Sequence, residues 1–184
     1  LKKTGKKSTA IWTIGHSTRS LEDFTSLLAA HKITVLVDVR SFPGSRRYPH
    51  FSKPALSLSL PAQGIVYSHN PELGGRRRPY AASKNTAWKN ASFRAYADHM
   101  ESAEFNKGIE DLLQLASSNR VAIMCAEALW WRCHRSLIAD FLKANGVEVI
   151  HIFDTNKTEE HPYTAAARIV DGELSYEGLF KEEA

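Results

Sequence analysis

The densest chemistry in the chain lies between an apolar run, Val121 to Cys125 (VAIMC), and an amphipathic one, Ser136 to Leu142 (SLIADFL). The segment between them carries a carboxylate (Glu127), two tryptophans (Trp130, Trp131), two arginines (Arg132, Arg135), a histidine (His134) and Cys133. Cys125 and Cys133 are the protein's only cysteines. A carboxylate in such company can activate water or stabilise an oxocarbenium-like sugar, with a histidine as proton donor. Arg132, Arg135, His134 and a helix N-terminus can hold phosphate or sugar oxygens. Trp130 and Trp131 can stack on a nucleobase or wedge beside it.

Thiol chemistry is the competing reading. A cysteine at a strand end, a loop of amides, then an arginine and a helix resembles the anion cradle of rhodaneses and cysteine phosphatases, and Val37-Asp38-Val39-Arg40 adds to that likeness. Three features oppose it. Nine residues separate Cys125 from the Arg135-Ser136 pair, too many for a compact cradle. Glu127, two residues on, raises the pKa of a neighbouring thiol. Two tryptophans are bulky where a cradle needs small residues, so Cys125 reads as a small buried hydrophobe. Cys125, Cys133 and His134 match no structural zinc spacing. No metal and no cofactor is expected.

Other constellations are built of the same residue types. Gly15-His16-Ser17-Thr18 offers His16 as acid, base or phosphate donor, and Ser17 as a further contact or as ordinary turn chemistry. Asp38 and Arg40, two apart on an apolar strand, share a face, and each needs a partner there. Ser41 to His50 mixes Arg46 and Arg47 with Phe42 and Tyr48, a combination suited to phosphates and bases. In Glu72-Leu-Gly-Gly-Arg-Arg-Arg-Pro79, two glycines permit close backbone approach to an anion, and Arg76 and Arg77 add charge. It is not a Walker loop, because the lysine and hydroxyl positions are missing.

The elements that must position these residues alternate between strand and helix. Strands are expected at Ala10–Gly15, Ile33–Val39, Ile65–Ser68, Val121–Met124 and Val147–Phe153. Helices are expected from Leu21 (capped by Ser20, with Asp23 in the capping box), over Pro54–Leu60 until Pro61, and over Ser92–Met100, Ala103–Ala116 and Cys133–Ala144. Arg168 to Tyr176 forms a hairpin around Asp171-Gly172. This is an α/β class fold: one domain over residues 10–180, an open parallel sheet of about five strands with helices on both faces, and a C-terminal hairpin. Residues 1–9 form a disordered basic tail. Right-handed crossovers put every strand-to-helix loop at one edge of the sheet, where the constellations above converge.

A net charge of +4 points to anionic partners. No apolar run approaches the roughly 20 residues that span a bilayer, so no membrane association is expected. Two cysteines in one loop and no signal sequence at the start suggest a reducing, cytoplasmic setting.

TIGHSTRSLEDF, VDVRSFPGSRR, PELGGRRR, NASFRAYADHM and MCAEALWWRCHRSLIAD together resemble the bacterial family catalogued as domain of unknown function 488, over about Thr13 to Phe153. The resemblance implies an α/β domain. It marks His16, Asp38, Arg40, Glu72, Arg76, Arg77, Glu127, Cys133, His134 and Arg135 as motif positions. It implies no activity. The residues themselves lead to an enzyme acting on nucleic acid (DNA favoured over RNA) or on a nucleotide: a hydrolase cleaving the N-glycosidic bond of a modified or damaged base. In that scheme Glu127 or Asp38 is the chemical carboxylate and His16 or His134 the proton donor. Ser17, Arg40, Tyr48, Glu72, Arg76, Arg77, Trp130, Trp131, Arg132 and Arg135 bind substrate. A rhodanese-like sulfurtransferase or cysteine phosphatase, and a non-catalytic nucleic-acid-binding module, are the alternatives. The oligomeric state is left open.

Overall fold

Short runs rich in β-branched and aromatic residues become five parallel strands: β1 (Ala10–Gly15), β2 (Val35–Asp38), β3 (Val66–His69), β4 (Val121–Cys125) and β5 (Glu148–Asp154). The structure is a computed structural model and describes residues 9–178. The sheet order is β3-β2-β4-β1-β5-β6, with β6 (Lys157–Glu160) antiparallel to β5 at the edge. β4 and β1 lie at its centre, paired from Ile11–Val121 to Gly15–Cys125.

Alternation along the strands divides the core in two. Ile11, Val35, Val37, Val121, Ile123 and Cys125 pack on one face with residues of α3 (Ala91–His99), α4 (Ala103–Ala116) and α5 (Arg135–Ala144). Trp12, Ile14, Leu36, Ala122 and Met124 pack on the other with α1 (Leu21–Ala30) and α2 (Lys53–Ser59). The side chains of Ser20, Ser52, Asn90 and Ser102 accept backbone N–H groups at the starts of α1 to α4, which fixes where those helices begin.

The α/β architecture, the parallel sheet, the helices on both faces and the C-terminal hairpin are as expected. In the hairpin, β7 (Arg168–Val170) pairs with β8 (Glu173–Ser175) across Asp171 and Gly172, both at positive φ, as a tight primed turn requires. Pro61 opens a separate 3-10 turn, Pro61–Gln63, after α2 ends. The sheet gains one unexpected strand, β6. The helix expected from Cys133 starts at Arg135, which leaves Cys133 in the preceding loop. Residues 1–8 of the expected tail and 179–180 of the expected domain lie outside the described residues. No helix among the described residues is long and apolar enough to cross a membrane.

Candidate functional site

All five parallel strands end at the same edge, and the loops that follow β1, β2 and β4 meet there. Two adjoining cavities, of about 520 and 370 Å³, share Arg40, Phe42, Ala126, Glu127 and Arg132 and make one groove. One end adds His16, Ser17, Arg47 and Tyr48. The other adds Arg76, Phe93, Cys125, Cys133 and His134. Glu127 stands where the two join, and it is the only carboxylate residue among those lining either cavity.

The β1–β4 pairing holds Glu127 there by running past the strand ends. His16 N–H donates to the Cys125 carbonyl at 3.0 Å and Ser17 N–H to the Ala126 carbonyl at 2.9 Å. Ser17 takes a left-handed conformation to do so (φ 51°). A Cβ at position 15 would overlap the Glu127 carbonyl, so Gly15 is what lets the carboxylate loop cross the end of β1.

On the β2 side lies a saturated ion pair. Arg40 Nε and Nη2 donate to the two oxygens of Asp38 at 2.8 and 2.6 Å, and the Tyr67 hydroxyl donates to Asp38 at 2.7 Å. Arg40 Nη2 also donates to the Phe51 carbonyl, and His69 Nε2 donates to the Arg40 carbonyl. The remaining Arg40 nitrogen, Nη1, lies 3.3 Å from His16 Nε2. His16 donates from Nδ1 to the Ser17 carbonyl, so Nε2 is its acceptor, and the ring stacks on Phe51. Burial, helped by the Arg40 charge and opposed by the Ser17 carbonyl, lowers the His16 pKa to about 4. At neutral pH His16 is an uncharged acceptor.

On the β4 side lies a second buried guanidinium, that of Arg135, 1% exposed. Its Nη2 donates to the Glu127 and Ala128 carbonyls and its Nη1 to the Thr13 hydroxyl at 3.2 Å. Thr13 must then pass its own proton to His151 Nδ1, 2.7 Å away. Burial, with the nearby His161 and Arg135, keeps His151 neutral, its pKa lowered to about 2. His151 therefore donates from Nε2 to His161 Nδ1, and His161 donates from Nε2 to Asp140. Thr164 and Tyr176 complete the shell of Asp140. This buried chain fixes Arg135 from behind.

A family model described as Domain of unknown function DUF488 matches residues 20–142. The chain belongs to this family. No curated protein and no solved structure matches it. The DUF488 match takes in β2, β4, the groove loops that follow them and most of α5, and begins after the β1 loop that carries His16 and Ser17.

Within this DUF488 chain, His16, Ser17, Arg40, Tyr48, Arg76, Glu127, Arg132 and His134 converge on the groove as expected from their placement at strand ends. Others do not. Asp38 is fully buried beneath it, and every hydrogen bond of its carboxylate comes from Arg40 or Tyr67, so it cannot activate water. His16, neutral and pinned, is not the proton donor. His134 gives its Nε2 proton to the Val39 carbonyl and turns Nδ1 toward Gly75. Arg77 ties its own loop together, donating to the carbonyls of Gly74, Pro71 and Glu72 and to the Glu104 carboxylate. Glu72 adds its carbonyl to that tie and accepts there from His99 as well. Gly74 and Gly75 serve close packing on Ser41 and His134 instead of an anion. Trp130 is core, stacked on His151 at 4.5 Å; Trp131, 47% exposed, leans on Phe153 and lines neither cavity. Arg135 holds the loop from within.

The groove's aromatics come from elsewhere: Phe42, 71% exposed with the Arg76 guanidinium over its ring, Tyr48 beneath Arg47, and Phe93. Phe93 and the Asp38 partner Tyr67 were not expected at the site. Only the ASFRAY motif signalled Phe93, and nothing but strand register signals Tyr67. Among the described residues, no group of three or more His, Cys, Asp or Glu is arranged to hold a metal ion.

Proposed function

We propose that this protein is a hydrolase acting on nucleic acid or a nucleotide, and that it cleaves the N-glycosidic bond of a modified or damaged base with Glu127 as its chemical carboxylate. One observation carries this reading: Glu127 is the sole acid in a groove whose other charged walls are Arg47, Arg76 and Arg132, beside an Arg40 that Asp38 already neutralises. Arginines so placed pair with phosphates, and the charge they bring is neutralised there. The carboxylate that remains faces the sugar. It takes a proton from water as the water oxygen attacks C1′; the C1′–N bond breaks as the oxocarbenium-like centre collapses, and the base leaves with the bonding pair and takes up, through solvent water, the proton that Glu127 removed. Phe42, Tyr48 and Phe93 replace the tryptophans as the surfaces on which an extruded base rests.

The test is a set of oligonucleotides carrying different modified bases, scored for free base and for binding. Glu127→Gln is expected to cut base release by about 10²- to 10⁴-fold while binding changes little. Undiminished release by Glu127→Gln, or no release by the wild type from any base in the set, overturns the proposal. In the second case, salt-sensitive binding would leave a non-catalytic nucleic-acid module in its place.

A further inference from the structure

Cys125 Sγ and Cys133 Sγ lie 2.7 Å apart at the foot of the groove, and both residues line it. The strand places one and the helix start places the other. Cys125 ends β4, where its pairing with Gly15 fixes it. Cys133 follows the 3-10 turn Trp130–Arg132, which folds the loop back on itself, and its sulfur accepts the Arg135 N–H at the start of α5 at 3.4 Å. Next to this pair is the Arg135 guanidinium. No carboxylate pairs with Arg135 among the described residues, and its buried Nε has no hydrogen-bond acceptor. The nearest fixed carboxylate on its hydrogen-bond chain, Asp140, is four bonds away, through Thr13, His151 and His161.

A buried cation without a counter-ion costs several kcal/mol, and of the ionisable groups beside this one (Arg19, His151, Cys125 and Cys133) the two thiols are those that can carry the opposite charge. We propose that Cys133 is a thiolate held by Arg135 and that Cys125 and Cys133 form a redox-active dithiol which exchanges with disulfide substrates entering the groove. This inference stands apart from the role of Glu127. The groups facing Cys133 are Cys125 from β4, Tyr96 from α3, and His134 and Arg135 beside it. Burial raises the Cys133 pKa, but the hydrogen bond with Cys125 and the Arg135 charge outweigh it and leave the thiol well below its ordinary value. Burial and its neighbour push Cys125 well above. The two are thus divided into an attacking and a resolving sulfur. The Cys133 thiolate attacks one sulfur of a disulfide RSSR, forming Cys133–S–SR and releasing RS⁻, which takes the Cys125 proton. Cys125 then attacks Cys133 Sγ and expels the second RS⁻. The balance is one protein dithiol and one RSSR giving one protein disulfide and two thiols, the second RS⁻ taking its proton from water. The sulfurs need only a small closure to reach the bond length of about 2.05 Å.

The reduced full chain is titrated with glutathione disulfide and dithiothreitol and followed by intact mass and peptide mapping. The expected result is loss of two hydrogen atoms with Cys125 linked to Cys133, reversed by dithiothreitol. Cys125→Ser is expected to stall as a mixed disulfide on Cys133. In a parallel measurement, the iodoacetamide rate at Cys133 levels off at a pH well below that of an ordinary thiol, and Arg135→Met, folded by circular dichroism, moves that midpoint up by about one unit or more. Neither readout involves a modified base, so both stand or fall apart from the hydrolase proposal. A stable mixed disulfide in the wild type, no reaction with glutathione disulfide, or an alkylation profile at Cys133 like that of an ordinary thiol would overturn it.

Discussion

Arg40 and Arg135 are both buried guanidiniums at the carboxyl edge of the sheet, and their surroundings differ in kind. Arg40 meets its counter-ion at once: Asp38 takes two of its nitrogens, Tyr67 occupies the same carboxylate, and His16 stays neutral beside them. Arg135 meets carbonyls, a hydroxyl and two thiols. A charge matched on the spot shapes the site without joining its chemistry. A charge whose nearest answer is an ionisable sulfur changes the state of that sulfur. The groove runs between the two, with Glu127 at the middle.

Removing the answer should therefore hurt most on the Arg40 side. Asp38→Ala is expected to lower stability by about 3–5 kcal/mol, because it strands a buried cation. Arg135→Met strands none, since Cys133 can take a proton, and is expected to cost about 1–3 kcal/mol for its lost hydrogen bonds. Adding Arg40→Met to Asp38→Ala should recover part of the larger loss. Urea unfolding of the three variants beside the wild type measures this. Equal costs for Asp38→Ala and Arg135→Met would mean that the two arginines are not differently matched.

Much of the Arg40 side was legible in the sequence and much of the Arg135 side was not. Asp38 and Arg40 sit two apart on a strand, so a shared face and mutual pairing follow from the backbone alone. Strands and helices were legible where apolar runs or caps marked them, as at Ser20 and Asp23 in α1. β6 was not, because Lys-Thr-Glu-Glu is wholly polar and exposed, and its strand form comes from the β5 edge it borrows. Counting from Cys125 finds it buried, as the structure has it, but does not bring Cys133 beside it. Counted from Cys133, the arginine is two residues on, and only the 3-10 turn at Trp130–Arg132 reveals that the two sulfurs meet. That same turn swings adjacent residues about 120° apart, so one tryptophan enters the core and the other leaves it. Sequence shows the two tryptophans but not which is which.

Each side also holds one histidine kept neutral, which gives the comparison a pH axis. The folded-state pKa values of His16 and His151 are lowered to about 4 and about 2, chiefly by burial. The unfolded chain binds protons near the ordinary value of about 6.5, so stability is fully present above that pH and falls as the solution is acidified through the window. Each histidine contributes at most about 1.4 kcal/mol per pH unit, His16 less because water in the groove screens it. His16→Gln should flatten the upper part of the window, down to about pH 4, while His151 continues to titrate below it. A wild-type profile that is level from pH 6.5 to 4 would contradict both assignments.

The smallest effect separates two neighbours in one loop. Arg76 is exposed, lines the groove and touches the protein only through its backbone and the Phe42 ring. Arg77 spends its guanidinium on Glu104 and three carbonyls. Arg76→Ala should therefore leave stability within about 0.5 kcal/mol and lower the salt slope of oligonucleotide binding by about 1, the share of one phosphate contact. Arg77→Ala should do the reverse, costing about 1–2 kcal/mol of stability and leaving the slope of the folded fraction unchanged. Thermal melts and binding at several salt concentrations distinguish the two. If Arg77 carries the slope instead, the loop must rearrange on binding, and the groove in the free protein is not the surface the nucleic acid meets.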